Sequence, residues 1–413
     1  MRVCVAGCGT AGPAAALFLA RAGHTVTIFE RAAALNPVGA GLLIQPTGMA
    51  VLSQLGVLDE LLQLGHRIER LYGATTAGRP VLDLHYRDLR ADLFGLGLHR
   101  GALLGTLMRA VHAAGITVRC ASELTAIRPA GGGGGREAIV ADAAGQAHGP
   151  FDLVIIADGA RSSLRPDGCR AGVRQYPFGA LWFVGQDTSR TFTGTLWQAY
   201  HGTGRMLGFL PSGRVTADGP PLTSMFWSIA LNRAAAVHAA GLDAWKRDVL
   251  AMTPLAAPLL EQVTDTRQLI TAGYYDVVAR RTFDLSNGAV VCLGDAAHAM
   301  SPQLGQGANL ALVDAMVLAG CLSEERDLPT ALQRFDALRR PGVHYYQFAS
   351  RWLTPIFQSD LEAVAPLRDM CMGPMCRLPL LRGQMLESLV GIKTGIMPWS
   401  RQSLDALAAT RRA

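Results

Sequence analysis

Six residues near the N-terminus, Gly7-Cys8-Gly9-Thr10-Ala11-Gly12, constrain this chain more than any others. They follow an apolar run, residues 2–6, that reads as a buried strand. They open an Ala/Leu-rich stretch, residues 11–22, that reads as a helix stopped by Gly23. A β-branched run over residues 25–30 closes one strand–helix–strand unit of about thirty residues. In such a unit the first glycine permits a tight turn and the second lets backbone approach a pyrophosphate. The third lets the helix pack closely on the strand. Thr10 and Ala11 then fall in the first helical turn, where free N–H groups and the positive end of the dipole favour phosphate. Glu30 ends the second strand eighteen residues past Gly12, placed to accept hydrogen bonds from ribose hydroxyls, and Arg31 follows it. The pattern predicts a dinucleotide-binding α/β domain and leaves the dinucleotide open.

The rest of the chain divides around that unit. With 413 residues, half of them hydrophobic, it is long enough for two or three lobes. A helix is expected over residues 100–114, a strand over 116–120, a flexible hairpin tip at Gly131–Gly135 and a buried strand over 152–157. From about residue 172 to 279 the pattern alternates, as at 195–201, 205–210 and 224–231, which predicts antiparallel strands in a lobe with its own sheet. A buried strand over 289–293 and helices over 308–323 and 329–350 follow. The predicted class is α/β: a split Rossmann-like domain (1–171 and 280–350), an inserted antiparallel-sheet domain (172–279) and a C-terminal helical tail (351–413) broken at Pro355, Pro366, Pro374, Pro379 and Pro398.

Composition narrows the function classes. The net charge of +6 carries no dense Lys/Arg block, which argues against nucleic acid and suits an anionic ligand. The eight cysteines form no CxxC and no zinc spacing, so no metal is expected and a reducing, cytoplasmic setting is. The apolar N-terminus could mimic a signal peptide, but glycines interrupt it and no cleavage site follows. No stretch reads as long and apolar enough to span a membrane, so no stable membrane insertion is expected. Residues 380–399 mix apolar residues with Arg382, Lys393 and Trp399; a helix packed over the nucleotide domain is expected there, with a membrane surface or partner subunit as the other reading.

Two later stretches carry further chemistry. One is Leu293-Gly294-Asp295-Ala296-Ala297-His298, then Pro302, then Gly305-Gln306-Gly307-Ala308-Asn309. A carboxylate at a strand end suits a polyol, and a glycine-rich loop feeding a helix aims N–H groups at developing negative charge. The other is Asp158-Gly159-Ala160-Arg161-Ser162, a turn after a buried strand. His298 has no partner at ligand spacing and reads as structural. Tyr200 and His201 alternate faces on a predicted strand, so at most one points into a pocket as a base. An ordinary sheet-face residue is the other reading. Of Trp182, Phe183, Trp197, Phe209, Phe226 and Trp227, most are expected in the core and a few along an apolar substrate cavity.

These three motifs in this order, with residues 39–57 and the helix opened by Arg100, resemble the para-hydroxybenzoate-hydroxylase-like, single-component FAD-dependent monooxygenases. The resemblance covers roughly residues 1–350 and explains the tail least. It implies FAD as cofactor, with Asp158 and Gly159 beside FAD and the nicotinamide cofactor, Asp295 after Gly294 on the ribityl chain, and Arg100 and Gly41 as further FAD contacts. The loop Pro302, Gly305, Gln306 and Gly307 would lie beside the flavin ring, with Ala308 and Asn309 just beyond. Glycines 39, 41, 305 and 307 flank the flavin path, where they could leave room for ring motion or simply serve tight turns. The implied reaction spends NADPH or NADH and O₂ to hydroxylate a small aromatic substrate through a flavin C4a-hydroperoxide, in a monomer or homodimer. No second nucleotide fingerprint appears, so the nicotinamide cofactor is expected to bind transiently. The residues leave other readings open: N-hydroxylation, epoxidation, oxidative decarboxylation, halogenation or prenyl-chain reduction on the same fold, or a flavin-binding protein without turnover. The Trp-x-Trp-x-Ile-Pro segment of flavin halogenases is absent from the chain.

Overall fold

Strand Arg2–Ala6 lies inside a six-stranded sheet, parallel to Leu153–Ile156 on one side and Thr25–Phe29 on the other. Val290–Cys292 and Thr117–Arg119 extend the parallel ladder, and short Phe283–Asp284 closes one edge antiparallel. Both faces are covered, which is why these strands read as unbroken apolar runs. Val3, Val5, Leu153 and Ile155 pack toward helices Ala11–Arg21 and Gly307–Glu324. Cys4, Ala6, Val154 and Ile156 pack toward a three-stranded sheet formed by Leu124–Pro129, Ala138–Asp142 and Ala147–Phe151. The computed structural model describes the whole chain except residues 36–39, 132–136, 287 and 410–413. Gly39 and most of the hairpin tip Gly131–Gly135 therefore lie outside the described residues.

A second, seven-stranded sheet runs in the order Ile270–Ala279, Ala171–Gln186, Leu222–Ala230, Arg205–Gly213, Thr195–His201, Arg70–Thr75, Pro80–His85. Its last two strands come from residues 70–85, so this sheet is not confined to 172–279 as the alternation pattern suggests. Thr195–His201 would otherwise expose an unpaired edge, and Arg70–Thr75 covers it in parallel register. One face buries Leu181, Phe183, Phe209, Met225 and Trp227 against the helix Leu242–Met252, through Trp245 and Val249. The other face turns toward the nucleotide lobe. A small sheet of Gly41–Ile44, Gly95–His99 and His66–Ile68 joins the two lobes. A side chain at Gly97 would sit 2.0 Å from the Pro211 carbonyl oxygen, so only glycine allows this approach.

Two sequence expectations are corrected here. Pro355 does not break the long helix, which runs Leu328–Phe357 through both Pro341 and Pro355 and ends at Gln358. Its buried face, including Phe335, Tyr346 and Phe357, holds the helix against the local cost of each proline. The helix Gly307–Glu324 is long and apolar enough to cross a membrane by length and composition. It is instead a core element, burying Leu310, Leu312, Val313, Leu318 and others against its neighbours.

The buried carboxylate of Asp314 ties three of these elements together. It accepts from the Gly294 N–H (2.9 Å), lies 2.6 Å from His298 Nε2, and accepts from Arg339 Nε (2.7 Å). His298 is thus structural, as its lack of ligand-spaced partners suggests. Burial pushes the Asp314 carboxyl up, but His298, Arg339 and the Gly294 N–H outweigh it and hold the group down at about 2. A folded pKa below the unfolded one stabilises the protein above the ordinary carboxylate range, and that stabilisation is lost as pH falls toward 2. Asp314→Asn should lower stability at pH 7 by roughly 3–5 kcal/mol, because it leaves Arg339 buried without its partner. The deficit should narrow below about pH 4. Thermal unfolding of both proteins from pH 7 to pH 3 checks this; a deficit unchanged over that range would show that Asp314 is not ionised in the fold.

Candidate active site

The turn after Arg2–Ala6 is built as its glycines require. Gly7 has φ of +101°, and a side chain there would collide with Ala157 and Asp158 backbone. A Cβ on Gly12 would sit 2.1 Å from the Gly7 carbonyl oxygen, so helix and turn touch directly. A Cβ on Gly9 would meet nothing within 4 Å, so this glycine faces open space. The helix starts at Ala11, after Thr10, and no side chain caps its first N–H groups. Those groups remain available to an anion. Glu30 is turned toward the same place: its carboxylate accepts from the N–H of Cys8 (2.8 Å) and of Ala32 (2.9 Å).

The Asp158-Gly159 turn packs beside Gly7, and Arg31 lies close enough to Asp158 to act on its charge. Burial pushes the Asp158 carboxyl up, against the pull of Ser162, Arg165 and Arg31. Its Oδ1 is buried and without a partner. Arg165 does not relieve it, because its guanidinium is spent on the carbonyls of Ala296, Ser162 and Ala160. Arg100 opens the helix Arg100–Ala113, and its N–H reaches the Ala40 carbonyl (3.4 Å), one residue from Gly41. Gly41 in turn donates to Ser224 Oγ (2.7 Å) on the seven-stranded sheet. A Cβ there would lie 2.2 Å from Ser212 Oγ.

The late motif forms the opposite wall. Gly294, at φ +57°, ends the strand, and Asp295 opens the short helix Asp295–His298. Asp295 is exposed while its neighbours Gly294, Ala296, Ala297 and His298 are buried, so its carboxylate is the group this turn presents. Asp295 Oδ1 lies 3.8 Å from the Cβ position of Gly307. Pro302 is exposed, Gly305 is left-handed at φ +62°, and Ala308 sits in the first turn of Gly307–Glu324. Asn309 fastens the turn: Nδ2 donates to the carbonyls of Gly305 (2.9 Å) and Leu43 (3.2 Å), and Oδ1 accepts from Gln45 N–H (2.8 Å). Ser301 Oγ is buried and unpartnered nearby. Open space at Gly9, an orphaned buried carboxylate oxygen at Asp158 and a presented carboxylate at Asp295 fit an extended, polar dinucleotide bearing a polyol. Among the described residues no group of His, Cys, Asp and Glu could hold a metal ion.

Tyr200 and His201 do not join this constellation as bases. Tyr200 is buried, its ring packs on Phe357, and its hydroxyl donates to Gln198 Oε1 (2.6 Å). Burial pushes its phenol far up, away from ready deprotonation. His201 points from the opposite face, exposed, 3.1 Å from Thr76 Oγ1. Of the aromatic set, Phe183, Phe209 and Trp227 are core beneath the sheet, with Trp197 packed against them, while Trp182 and Phe226 (centroids 5.0 Å apart) lie on the face toward the late motif. A relay missed in the sequence links that face to the loop: Gln303 Nε2 donates to Gln358 Oε1 (2.7 Å), and Gln358 Nε2 to Ser228 Oγ (3.2 Å). The reach of Thr47 and of Gln306, a residue expected beside the flavin ring, to the C-terminal helix was equally hidden; Gly391 ending an apolar helix was a local signal.

This geometry fits a flavin-binding oxidoreductase whose six-stranded sheet draws strands from both the first part of the chain and residues 283–292. The chain belongs to the FAD binding domain family, whose model matches residues 1–218 and 226–341. It is an FAD-dependent monooxygenase. It is 30% identical over 369 residues to a 2-heptyl-3-hydroxy-4(1H)-quinolone synthase of Mycobacteroides abscessus, covering 84% of this chain and 88% of that one. It is 29% identical over 347 residues to the aurachin C monooxygenase/isomerase of Stigmatella aurantiaca, covering 82% and 85%. In fold it matches Klebsiella pneumoniae HpxO complexed with FAD and uric acid, at a TM-score of 0.77 and 19% identity over 95% of this chain and 97% of that one.

Glu30 fastens the turn and stands where a ribose-binding carboxylate is expected, so its removal should be felt in cofactor retention. Glu30→Ala should raise the FAD Kd at least about tenfold, the scale of one lost charged hydrogen bond, with an unchanged far-UV spectrum. Flavin released by heat should chromatograph as FAD. Release of FMN instead would remove the adenosine ribose from the argument.

Proposed function

We propose that the protein hydroxylates a neutral, flat aromatic substrate of quinolone-like size, using NADH or NADPH as reductant. One observation carries the substrate class. The sheet face turned toward the Pro302 loop is formed by Trp182, Gln198, Tyr200, Leu210, Phe226 and Ser228, with no charged side chain from these strands. The cation packed over Tyr200, Arg368 (5.1 Å from the ring), is already engaged by Asp369 and the carbonyls of Gly202 and Ile356, so an aromatic ring finds stacking surface and neutral hydrogen-bond partners there. The names of the relatives, a quinolone synthase and an aurachin monooxygenase, favour the same class.

The residues divide the work as follows. Gly7, Gly9 and the first turn at Thr10–Gly12 would hold the pyrophosphate, with Glu30 on the adenosine ribose and Arg31, Arg100 and Asp158 along its path. Asp295 would accept from ribityl hydroxyls. Gly305 and Gly307 let backbone approach the ring, and the N-terminus of Gly307–Glu324 directs positive dipole at charge developing there. When bound, FAD supplies hydride acceptance and oxygen activation; the protein supplies placement and water exclusion. Tyr274, whose phenol burial pushes up to about 12, bonds to Trp182 and so positions an aromatic wall instead of moving a proton. Pro302 and the Gln303–Gln358–Ser228 relay would orient substrate against the ring. The eight free cysteines support a cytoplasmic setting.

NAD(P)H oxidation should be slow alone and accelerate at least about tenfold with the true substrate, roughly 1.4 kcal/mol of barrier. Aerobic NAD(P)H consumption against a panel of quinolones, phenols and charged benzoates, with peroxide and product quantified, checks this. Stimulation confined to charged benzoates would overturn the substrate class, and equal anaerobic flavin reduction with and without a proven substrate would overturn the gating.

A further inference from the structure

The helix Pro379–Val390 ends against the flavin-side turn, and its end is completed by residues from the other lobe. The last carbonyls of a helix have no intrahelical partners. Here the Glu387 carbonyl accepts from the N–H groups of Gly391 and Ile392. The next two, Ser388 and Leu389, accept from Gln306 Nε2 at 3.3 and 2.6 Å. The Val390 carbonyl accepts from Thr47 Oγ1 at 3.1 Å. Gly391, at φ +95°, accepts from Gln402 Nε2 at 3.4 Å. A Cβ on Gly391 would lie 2.2 Å from Thr47 Oγ1 and 3.1 Å from Gln306 Oε1, so the contact is tight. Gln306 and Thr47 are both buried.

These two donors come from opposite walls of the flavin site. Gln306 lies between Gly305 and Gly307; Thr47 begins the helix Pro46–Gln54 that follows Gly41–Ile44. Asn309 already links the two walls through Gln45, Leu43 and Gly305. The tail closes this circuit from behind. Its own base is braced by Lys393, whose Nζ donates to Gln384 Oε1 (2.8 Å) and the Met397 carbonyl (2.6 Å) and lies 3.9 Å from Glu387. Arg401 pairs with the same glutamate, and the Tyr346 hydroxyl accepts from the Lys393 N–H (3.2 Å).

We infer that the C-terminal segment 379–402 is a latch that positions the Gly305–Gly307 turn for flavin, acting through Gln306 and Thr47. This rests on the FAD reading above. If the helix end moves, three buried carbonyls and the Gln306 amide lose their partners together, so the turn has one favoured conformation only while the latch is closed. Gln306 and Thr47 are positioning residues, and Lys393 acts one step further back.

The test uses the full chain stripped of flavin and titrated with FAD, following flavin fluorescence, with the visible spectrum of the bound flavin as second readout and circular dichroism as the fold check. Gln306→Leu and Thr47→Val should each raise the FAD Kd about tenfold or more and shift the visible flavin bands. Thr47→Ser keeps the hydroxyl and should stay within about twofold of the parent. Lys393→Met touches neither the Gly305–Gly307 turn nor the Gln306 and Thr47 hydrogen bonds, yet should also weaken FAD by several-fold. Folded Thr47→Val and Lys393→Met proteins with parental affinity and spectrum would overturn the latch while leaving FAD binding intact. Should Lys393→Met not fold, the Thr47→Val and Thr47→Ser pair decides. A parent that binds no FAD would overturn the flavin reading and the latch with it.

Discussion

Asp314 is fully buried, and a carboxylate removed from water must have its charge and lone pairs answered by protein groups. Those answers come from two places in the chain: the turn holding Gly294 and His298, and Arg339 on the long helix. Satisfying one side chain therefore fixes where the strand Val290–Cys292 ends, how the helix Gly307–Glu324 leans on it, and where the long helix Leu328–Phe357 crosses. Asp295 sits between Gly294 and the rest of its short helix, so the direction of its carboxylate follows from the same arrangement. The carboxylate proposed to meet the cofactor is aimed by a group buried behind it.

The lobes meet through glycine. Gly41 touches Ser212 and Ser224, and Gly97 touches the Pro211 carbonyl, each at a distance that excludes a Cβ. These contacts bring the small joining sheet against Arg205–Gly213 and leave the aromatic face of the broad sheet turned toward the Pro302 loop. The polarity is divided accordingly. Backbone N–H groups, Glu30, Asp158 and Asp295 gather on the nucleotide side, while the substrate side offers rings and neutral amides.

Local motifs were legible because their physics is local. A glycine turn between strand and helix, an acidic residue at the next strand end and a Gly-rich loop before a helix each need only a few neighbouring residues to specify them. The strand boundaries at 195–201 came from periodicity alone. What periodicity misses is partnership. Arg70–Thr75 reads as a strand of no particular sheet until an uncovered edge at Thr195–His201 claims it. Tyr200 reads as a candidate base until Phe357 and Gln198, from elsewhere in space, enclose it. Pro355 reads as a breaker because the buried face that overrides it, including Phe335 and Tyr346, lies outside its local window. The tail was least legible, since Gln306 and Thr47 meet its carbonyls across more than eighty residues.

Among the described residues ten buried polar side-chain atoms lack a hydrogen-bond partner, and four of them, Gln306 Oε1 included, flank the proposed cofactor path. Asp158 Oδ1, Ser301 Oγ and Gln45 Nε2 are buried without protein partners, and each belongs to a wall of the proposed cofactor path or to the residue next to one. The other six, among them Trp227 Nε1, Trp245 Nε1 and Ser350 Oγ, are scattered through the fold, while charged groups such as Asp314 and Lys393 are answered by several partners. A buried polar atom left unpaired costs on the order of 1–3 kcal/mol. A ligand seated on the proposed cofactor path would answer the atoms left open there. Binding that occurs only to the folded state stabilises the whole molecule by mass action, so FAD bound across these walls would add to what holds the lobes in register.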